Sequence, residues 1–216
     1  MDIKICGLST PETVNAALDG GASHIGFIFF PKSPRNVSAE AASALRQAVR
    51  GRAQVVVVTV NADDDALDTI VATVEPDVLQ LHGSETPERV SAVKARYGLP
   101  VMKALSISTA DDLVRAQSFA GVADRLLFDA KPPRGAELPG GNGITFDWSL
   151  LHGLDGSLPY MLSGGLNASN VGDALARVRP SGLDISSGVE SAPGIKDVAR
   201  IDAFFAAIRS ANQRAA

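Results

Sequence analysis

The sequence predicts a single-domain α/β protein, an eight-stranded parallel (βα)8 TIM barrel that occupies residues 1–216. Short apolar runs alternate with amphipathic helical stretches along the whole chain, the order expected of βα units. The runs are apolar throughout rather than at every second residue, which is typical of parallel strands covered on both faces. With 216 residues, 45% of them hydrophobic, the chain suits one compact domain with a sizeable core.

Eight segments are predicted as strands, and eight βα units in one row favour a closed barrel over a doubly wound open sheet. The predicted strands are Ile3–Cys6, His24–Phe29, Gln54–Val60, Val78–Leu81, Val101–Ala104, Arg125–Asp129, Tyr160–Ser163 and Gly182–Ile185.

Helical stretches with capping residues and apolar positions at helical spacing separate these strands. The predicted helices are Pro11–Leu18, Ala39–Val49, Asp63–Val74, Thr86–Tyr97, Thr109–Phe119, Asn167–Val178 and Asp197–Ile208. The segment Arg209–Ala216 is predicted to be a frayed helix end. The sixth connection, Ala130–Gly143, is long and rich in Pro and Gly, and long loops in compact domains are often functional.

Composition argues against several classes of function. The net charge is −4 and aromatic residues make up 5% of the chain, so neither a nucleic-acid nor an anionic-membrane surface is indicated. Neither a signal peptide nor a membrane span is predicted. The only cysteine, Cys6, cannot form an internal disulfide, which favours the cytoplasm. Because no His, Cys, Asp and Glu residues have metal-ligand spacing, no metal is expected.

Two glycine-rich segments follow the last two predicted strands, where barrels of this kind commonly bind phosphate. Glycine lets backbone N–H groups approach an anion and point at it. Tight turns alone would explain one such segment, but two at these positions favour a phosphate site. The residues expected to bind phosphate are Gly164, Gly165, Ser186, Ser187 and Gly188.

Two titratable residues end predicted strands and should face the mouth of the barrel, where the active sites of this fold lie. Cys6 ends the first strand; a buried cysteine is usually only a small hydrophobe, but its place makes it a candidate base. Asp129 ends the sixth strand and is either an acid or an ion-paired structural group. A partly desolvated carboxyl can hold a proton near neutral pH, as a general acid requires.

Arginine and histidine residues supply further candidates. Arg35, in the loop after the second strand, has the planar guanidinium that grips a carboxylate, although a solvated arginine is an equal alternative. His82, after the fourth strand, is a candidate for contact with the substrate, although such a histidine is more often structural. His24 begins a strand and His152 lies in a loop, and neither is given a role.

Five segments, taken in order, resemble phosphoribosylanthranilate isomerases of tryptophan biosynthesis. The resemblance runs from the first strand to the start of the last helix and is highly specific in combination. It is carried by Lys4–Leu8, Gly26–Phe29 with Ser33–Arg35, Gln80–Gly83, Ser163–Leu166 and Asp184–Glu190, with Pro193–Asp197 after them.

The resemblance implies an Amadori rearrangement of N-(5-phosphoribosyl)anthranilate to 1-(2-carboxyphenylamino)-1-deoxyribulose 5-phosphate, with no cofactor. It implies that Asp129 is the general acid that opens the sugar ring and Cys6 the general base that removes the C2 proton. Arg35 would hold the anthranilate carboxylate and Asp184 a sugar hydroxyl, and the late glycine loops would hold the phosphate. The expected partner is this small molecule, and the oligomeric state is left open between monomer and homodimer.

The sequence departs from the family pattern at two places. Asn142 stands in Gly-Gly-Asn-Gly where the family often has Gly-Gly-Thr-Gly, and Val56–Val60 differs from the usual end of the third strand. Two alternative functions remain at this point. One is a related phosphosugar barrel isomerase or epimerase, and the other is a non-catalytic phosphosugar-binding module on the same fold.

Overall fold

Eight parallel strands form a closed barrel in the computed structural model, which describes residues 1–132, 135–136, 138–154 and 159–215. Each strand pairs with the next, and the eighth pairs with the first. The predicted fold class is therefore confirmed. The strands are β1 (Asp2–Cys6), β2 (His24–Phe29), β3 (Gln54–Thr59), β4 (Val78–Leu81), β5 (Val101–Ile107), β6 (Arg125–Ala130), β7 (Tyr160–Leu162) and β8 (Gly182–Ile185).

Seven α-helices follow the strands in the described residues. Four of them begin directly after a Thr, Ser or Asp whose side-chain oxygen accepts a hydrogen bond from a backbone N–H of the first turn, an N-cap that stabilises a helix by about 1 kcal/mol. The helices are α1 (Pro11–Gly20), α2 (Ala39–Val49), α3 (Asp64–Val74), α4 (Pro87–Tyr97), α5 (Ala110–Ala116), α6 (Val171–Arg177) and α7 (Val198–Ala215).

The late helices differ from their predicted bounds for local reasons. Helix α5 ends at Ala116 and continues as a 3-10 turn. Helix α6 begins at Val171 rather than Asn167, because the Asn167 side chain accepts hydrogen bonds from the backbone N–H groups of Ser169 and Asn170 and forms a turn. Helix α7 continues to Ala215, beyond the predicted bound at Ile208.

Two segments have structure that the sequence pattern did not indicate. A 3-10 helix, Trp148–Gly153, takes the place of an α-helix between β6 and β7. Beyond β8, the short strands β9 (Glu190–Ala192) and β10 (Ile195–Lys196) form an antiparallel hairpin. The hairpin turn needs Gly194, which has φ of 83° and lies against the backbone of Pro34. The hairpin thereby packs on the loop after β2 and carries Glu190 and Lys196 toward the barrel mouth.

The apolar core has two parts. The larger part lies between the barrel and the ring of helices, and a smaller cluster fills the barrel interior and includes Cys6. Cys6 therefore stands at the top of a packed interior, with strand ends around it. Among the described residues, no helix is both long enough and apolar enough to cross a membrane.

Candidate active site

A cavity of about 660 Å³, its solvent-open part included, lies at the carboxyl ends of the strands. Gly188 does not line it. That glycine lies where the loops after β7 and β8 meet, and a Cβ there would overlap the carbonyl of Leu166. Nine of the ten predicted site residues do line the cavity: Cys6, Arg35, His82, Asp129, Gly164, Gly165, Asp184, Ser186 and Ser187.

Cys6 shares the barrel interior with a buried lysine. Lys4 is fully buried, and its Nζ lies 2.8 Å from Asp184 Oδ1, because β1 and β8 pair Lys4 with Asp184 in register. On β2, a Cβ at Gly26 would lie 3.1 Å from both Cys6 Sγ and Lys4 Nζ, so the glycine leaves room for both groups. Burial raises the pKa of the Cys6 thiol, and the charge of Lys4 opposes that rise.

The charge on Lys4 is itself kept by its partner. Burial alone would lower the pKa of the Lys4 ammonium, but Asp184 and Cys6 together outweigh burial and the pKa is raised. The second oxygen of Asp184, Oδ2, accepts a hydrogen bond of 3.2 Å from the Ser163 hydroxyl. Lys4 is thus a permanent positive charge below the candidate base, and the sequence analysis gave it no role.

Asp129 is the second-last residue of β6, and its two carboxyl oxygens lie in different surroundings. Oδ1 accepts a hydrogen bond of 2.9 Å from the backbone N–H of Ala130. Oδ2 lies 3.3 Å from His82 Nε2, and the other ring nitrogen of His82, Nδ1, lies 3.0 Å from the side-chain Nε2 of Gln80. The carboxyl is only 4% exposed. Asp129 is therefore held in place with one oxygen directed toward the cavity.

Arg35 is held by a carboxylate that the sequence analysis did not identify as part of the site. Its Nε and Nη2 donate to Glu190 Oε1 and Oε2 over 2.7 and 2.9 Å. Its Nη1 faces the backbone of Gly141, where a Cβ would lie 2.6 Å away. The guanidinium is thus held by Glu190 and, through a bond of 3.2 Å from Nη2, by Gly141 O, and Arg35 lines the cavity. No periodicity of the sequence identifies Glu190; only the family motif contains it.

The glycine loops form the opposite end of the cavity. Gly164 and Gly165 have φ of 88° and 59°, which other residues rarely adopt. Within the described chain, the N–H groups of Gly165 and Ser187 donate to no protein acceptor. Backbone donors of this kind form anion-binding concavities. Lys196 lies behind them.

Lys196 places a second buried cation under the loop after β8. Its Nζ donates to Ser186 O and Oγ over 2.9 and 3.1 Å and lies 2.7 Å from Glu190 Oε1. Burial lowers the pKa of Lys196 to about 8, although Glu190 opposes that fall. Lys196 and Arg35 therefore share Glu190, which joins the two ends of the cavity.

The sixth connection covers the cavity between these ends, as predicted for a functional loop. Gly140 and Gly141 line the cavity, and the Asn142 side chain donates a hydrogen bond of 3.3 Å to Leu138 O. Asn142 therefore braces the loop from within rather than facing the cavity. Positions 133, 134 and 137 of this loop lie outside the described residues.

The remaining histidines lie elsewhere, and both were given no role. His24 is buried at the start of β2, where its Nδ1 lies 2.8 Å from Ser23 Oγ. His152 is exposed, with its Nε2 2.8 Å from Arg177 O. In the described part of the chain, no three His, Cys, Asp or Glu side chains form a group that could hold a metal ion.

Known proteins share the sequence and fold of this chain. The family model of N-(5'-phosphoribosyl)anthranilate isomerase matches residues 3–207. An isomerase of that name from Brucella canis is 65% identical over 98% of this chain and 96% of the relative. The isomerase structure from Thermotoga maritima is 34% identical with a TM-score of 0.88, over 97% of this chain and 99% of that one.

A further solved structure contains a ligand. It is phosphoribosyl anthranilate isomerase in complex with reduced 1-(o-carboxyphenylamino)-1-deoxyribulose 5-phosphate, and it is 32% identical with a TM-score of 0.85, over 97% of this chain and 99% of that one. The family model spans well over half of the chain, and the Brucella relative matches almost all of it. The chain therefore belongs to the N-(5'-phosphoribosyl)anthranilate isomerase family.

Proposed function

We propose that this chain isomerises N-(5'-phosphoribosyl)anthranilate to 1-(2-carboxyphenylamino)-1-deoxyribulose 5-phosphate in tryptophan biosynthesis, with Cys6 as general base and Asp129 as general acid. The observation that carries the proposal is that Cys6 and Asp129 line one cavity together with the glycine loops. A thiol and a carboxyl on different strands can reach different atoms of one small substrate, which an isomerisation by two proton transfers requires.

The substrate has two anionic groups, and the cavity has one cationic or N–H-rich region for each. The phosphate is placed at Gly164, Gly165, Ser186 and Ser187, where backbone N–H groups converge and Lys196 adds charge from behind. The anthranilate carboxylate is placed at Arg35 Nη1. The sugar then lies between these ends, over the strand ends that carry the acid and the base.

Asp184 is placed on the sugar, whereas His82 faces Asp129. Asp184 accepts from Lys4 and Ser163 through different oxygens. Since a carboxylate offers about four lone-pair positions, it can still accept a bond from a sugar hydroxyl. His82 lines the same cavity, with its Nε2 3.3 Å from Asp129 Oδ2.

The reaction needs two proton transfers. Asp129 donates its proton to the furanose ring oxygen. The C1–O bond breaks toward that oxygen while the anthranilate nitrogen lone pair forms the C1=N bond, giving a cationic Schiff base. The Cys6 thiolate then takes the C2 proton. The C2–H electrons form a C1=C2 bond and the C1=N electrons return to nitrogen, which gives an enolamine. The enolamine becomes the ketone when the C1=C2 electrons take a proton at C1 and the C2 hydroxyl gives up its proton, so that the O–H electrons form the C2=O bond.

Each of these steps is performed by groups of the chain and the substrate. The cationic Schiff base makes the C2 proton acidic, so the proposal includes neither a cofactor nor a metal. General acid or base catalysis by one positioned group contributes about a hundredfold to ten-thousandfold in rate. The lone cysteine and the reaction class place the enzyme in the cytoplasm under this proposal.

The experiment is a fluorescence assay of freshly prepared phosphoribosylanthranilate with the purified protein. We expect turnover that is equal with and without a chelator such as EDTA. Binding without turnover would favour a phosphosugar-binding module and would overturn the proposal. Turnover that EDTA abolishes would overturn its metal-free chemistry. Assays with aldose and ketose phosphates test the alternative substrates of related barrels.

A further inference from the structure

We propose that Gln80 and His82 position the general acid Asp129: Gln80 sets the proton of His82 on Nε2, and this N–H supports the charge that forms on Asp129 Oδ2 as the acid gives up its proton. The inference rests on the proposed function, because it requires Asp129 to be the acid. It assigns His82 a role toward a protein group, whereas the sequence predicted a contact with substrate.

The contact with Gln80 determines the tautomer of His82. The Gln80 side-chain nitrogen lies 3.0 Å from His82 Nδ1. An amide nitrogen has two protons and no available lone pair, so it can only donate in this contact. Nδ1 must therefore be the unprotonated nitrogen of a neutral ring. The ring proton is then on Nε2, which lies 3.3 Å from Asp129 Oδ2.

The two carboxyl oxygens of Asp129 are not equally suited to carry the acidic proton. Oδ1 accepts a hydrogen bond from the N–H of Ala130 over 2.9 Å, and that bond fixes the rotation of the carboxyl. An oxygen that accepts a backbone N–H is the less suitable carrier of the acidic proton. Oδ2 is therefore the oxygen that delivers the proton, and it is the oxygen that His82 faces.

The contact between His82 and Asp129 is loose. The 3.3 Å separation does not meet hydrogen-bond geometry, and His82 Nε2 is buried without another partner among the described residues. A donor that becomes well bonded only when its acceptor is charged stabilises the transition state more than the ground state. The loose contact is thus suited to an acid that must be protonated first and ionised later.

Gln80 is buried although one atom of its amide lacks a hydrogen-bond partner among the described residues. The residue is 0% exposed inside the barrel, and its Oε1 has no hydrogen-bond partner within the described chain. An unsatisfied buried oxygen costs about 1–3 kcal/mol. A methionine would fill a similar volume without that cost. The amide is therefore retained for its contact with His82 and not for the stability of the fold.

The sixth connection closes over the same pair of groups. A Cβ at Gly140 would overlap Asp129 Oδ2 and would lie 2.9 Å from His82 Nε2. The loop backbone thus lies directly on the acid and its histidine. Water is excluded from their contact, and an electrostatic interaction is stronger where water is excluded.

The first test compares two substitutions at His82 by steady-state kinetics. We expect His82→Leu to lower kcat about a hundredfold, as for the loss of one donor to a developing charge, and to leave KM within about threefold. We expect His82→Gln, which can place an amide N–H near the position of Nε2, to regain most of the lost kcat. His152→Gln, at the exposed histidine, is the matched control and should keep wild-type kinetics.

The second test reads the tautomer directly by NMR of the 15N-histidine-labelled protein. The chain has three histidines, and His82→Gln identifies the signal of His82. We expect the neutral Nε2–H form near neutral pH. Gln80→Met should turn this signal into that of a tautomer mixture and lower kcat, while the signals of His24 and His152 stay unchanged.

Each outcome bears on one proposal. If the wild-type protein turns over substrate and His82→Leu has the same kcat, the positioning role is overturned. An increase in KM alone in His82→Leu would also overturn it, because His82 would then be a substrate contact. An Nδ1–H signal for His82 in the wild-type protein would overturn the role of Gln80. Lack of turnover by the wild-type protein would instead overturn the proposed function, while the tautomer measurement would still report on the contact.

Discussion

The ion pairs of this protein fall into two groups, one inside the barrel mouth and one on the surface around the helices. The buried pairs are Lys4–Asp184, Arg35–Glu190, Lys103–Glu85 and Lys196–Glu190, in which every side chain is at most 5% exposed. In surface pairs such as Arg52–Asp19, the side chains are 49% and 71% exposed.

The two groups of ion pairs differ in whether their charges contribute to the stability of the fold or to the function of the site. A surface pair is worth about 0–1 kcal/mol. A buried pair loses more hydration than attraction returns, so apolar residues of similar volume are often as stable or more stable. Two of the buried pairs contain a residue that lines the candidate active site, Asp184 or Arg35, and Lys196 donates to Ser186 of its wall, whereas neither Lys103 nor Glu85 lines it. We infer that the pairs at the site are kept because they orient and charge the groups that meet the substrate.

Replacement of the two proposed proton-transfer groups should have the largest effect. We expect Cys6→Ser and Asp129→Asn each to lower kcat by at least about a hundredfold with a modest change of KM, because both act in the chemical step. Steady-state fluorescence kinetics measure both constants. A variant with near-normal kcat would remove the corresponding residue from the mechanism. Circular dichroism of each variant serves as the folding control.

Removal of one partner from a buried pair should destabilise the fold. We expect Lys4→Met to lower the free energy of unfolding by about 3–5 kcal/mol, because Asp184 would keep a buried charge without its cation. Urea unfolding measures the loss.

The double variant Lys4→Met with Asp184→Leu separates the effect of the buried pair on stability from its effect on turnover. It removes both charges and should recover most of the stability, but not the turnover. If turnover returned together with stability, the buried pair would serve the fold alone, and the distinction between the two groups of ion pairs would fail.

The fold was readable from the sequence because it follows from local patterns. Most apolar runs and capping residues such as Ser38 and Thr86 mark their elements within a residue or two, since they act over one helical turn. Strand β5 is an exception, because it continues to Ile107, past the predicted end at Ala104. The pattern failed where a side chain competes with the backbone, as at Asn167. It also did not indicate that α7 continues past Ile208 through residues that are mostly exposed.

The site was only partly readable for a different reason. Cys6 and Asp129 are visible because strand ends converge in a barrel, and position alone makes them candidates. Lys4 and Glu190 act through partners about 155 to 180 positions away in the chain, and no local pattern encodes such a contact. Gln80 reads as an ordinary strand residue until its contact with His82 is seen.

The titration of Cys6 should show the effect of the buried lysine. Because burial raises the pKa of the thiol, the thiolate fraction is small at neutral pH and increases as pH rises. We expect the rate of alkylation by iodoacetamide to increase with a midpoint above the usual value of about 8.5. Cys6 is the only cysteine, so mass spectrometry reports this site alone.

Lys4→Met provides the matched variant for that titration. The lysine charge favours the thiolate, so its removal should move the midpoint to still higher pH. A midpoint at or below that of a free cysteine in the wild-type protein would contradict the effect of burial. An unchanged midpoint in Lys4→Met would show that the lysine does not act on the thiol.

The smallest effect is expected at the surface. Arg52 Nη2 lies 2.7 Å from Asp19 Oδ1, with both side chains well exposed. Hydration and side-chain entropy offset most of the attraction at such a site, so Arg52→Ala should change the free energy of unfolding by less than about 1 kcal/mol and leave kcat unchanged. Urea unfolding and the fluorescence assay measure both. A loss as large as that in Lys4→Met would mean that exposure does not separate the two groups of ion pairs.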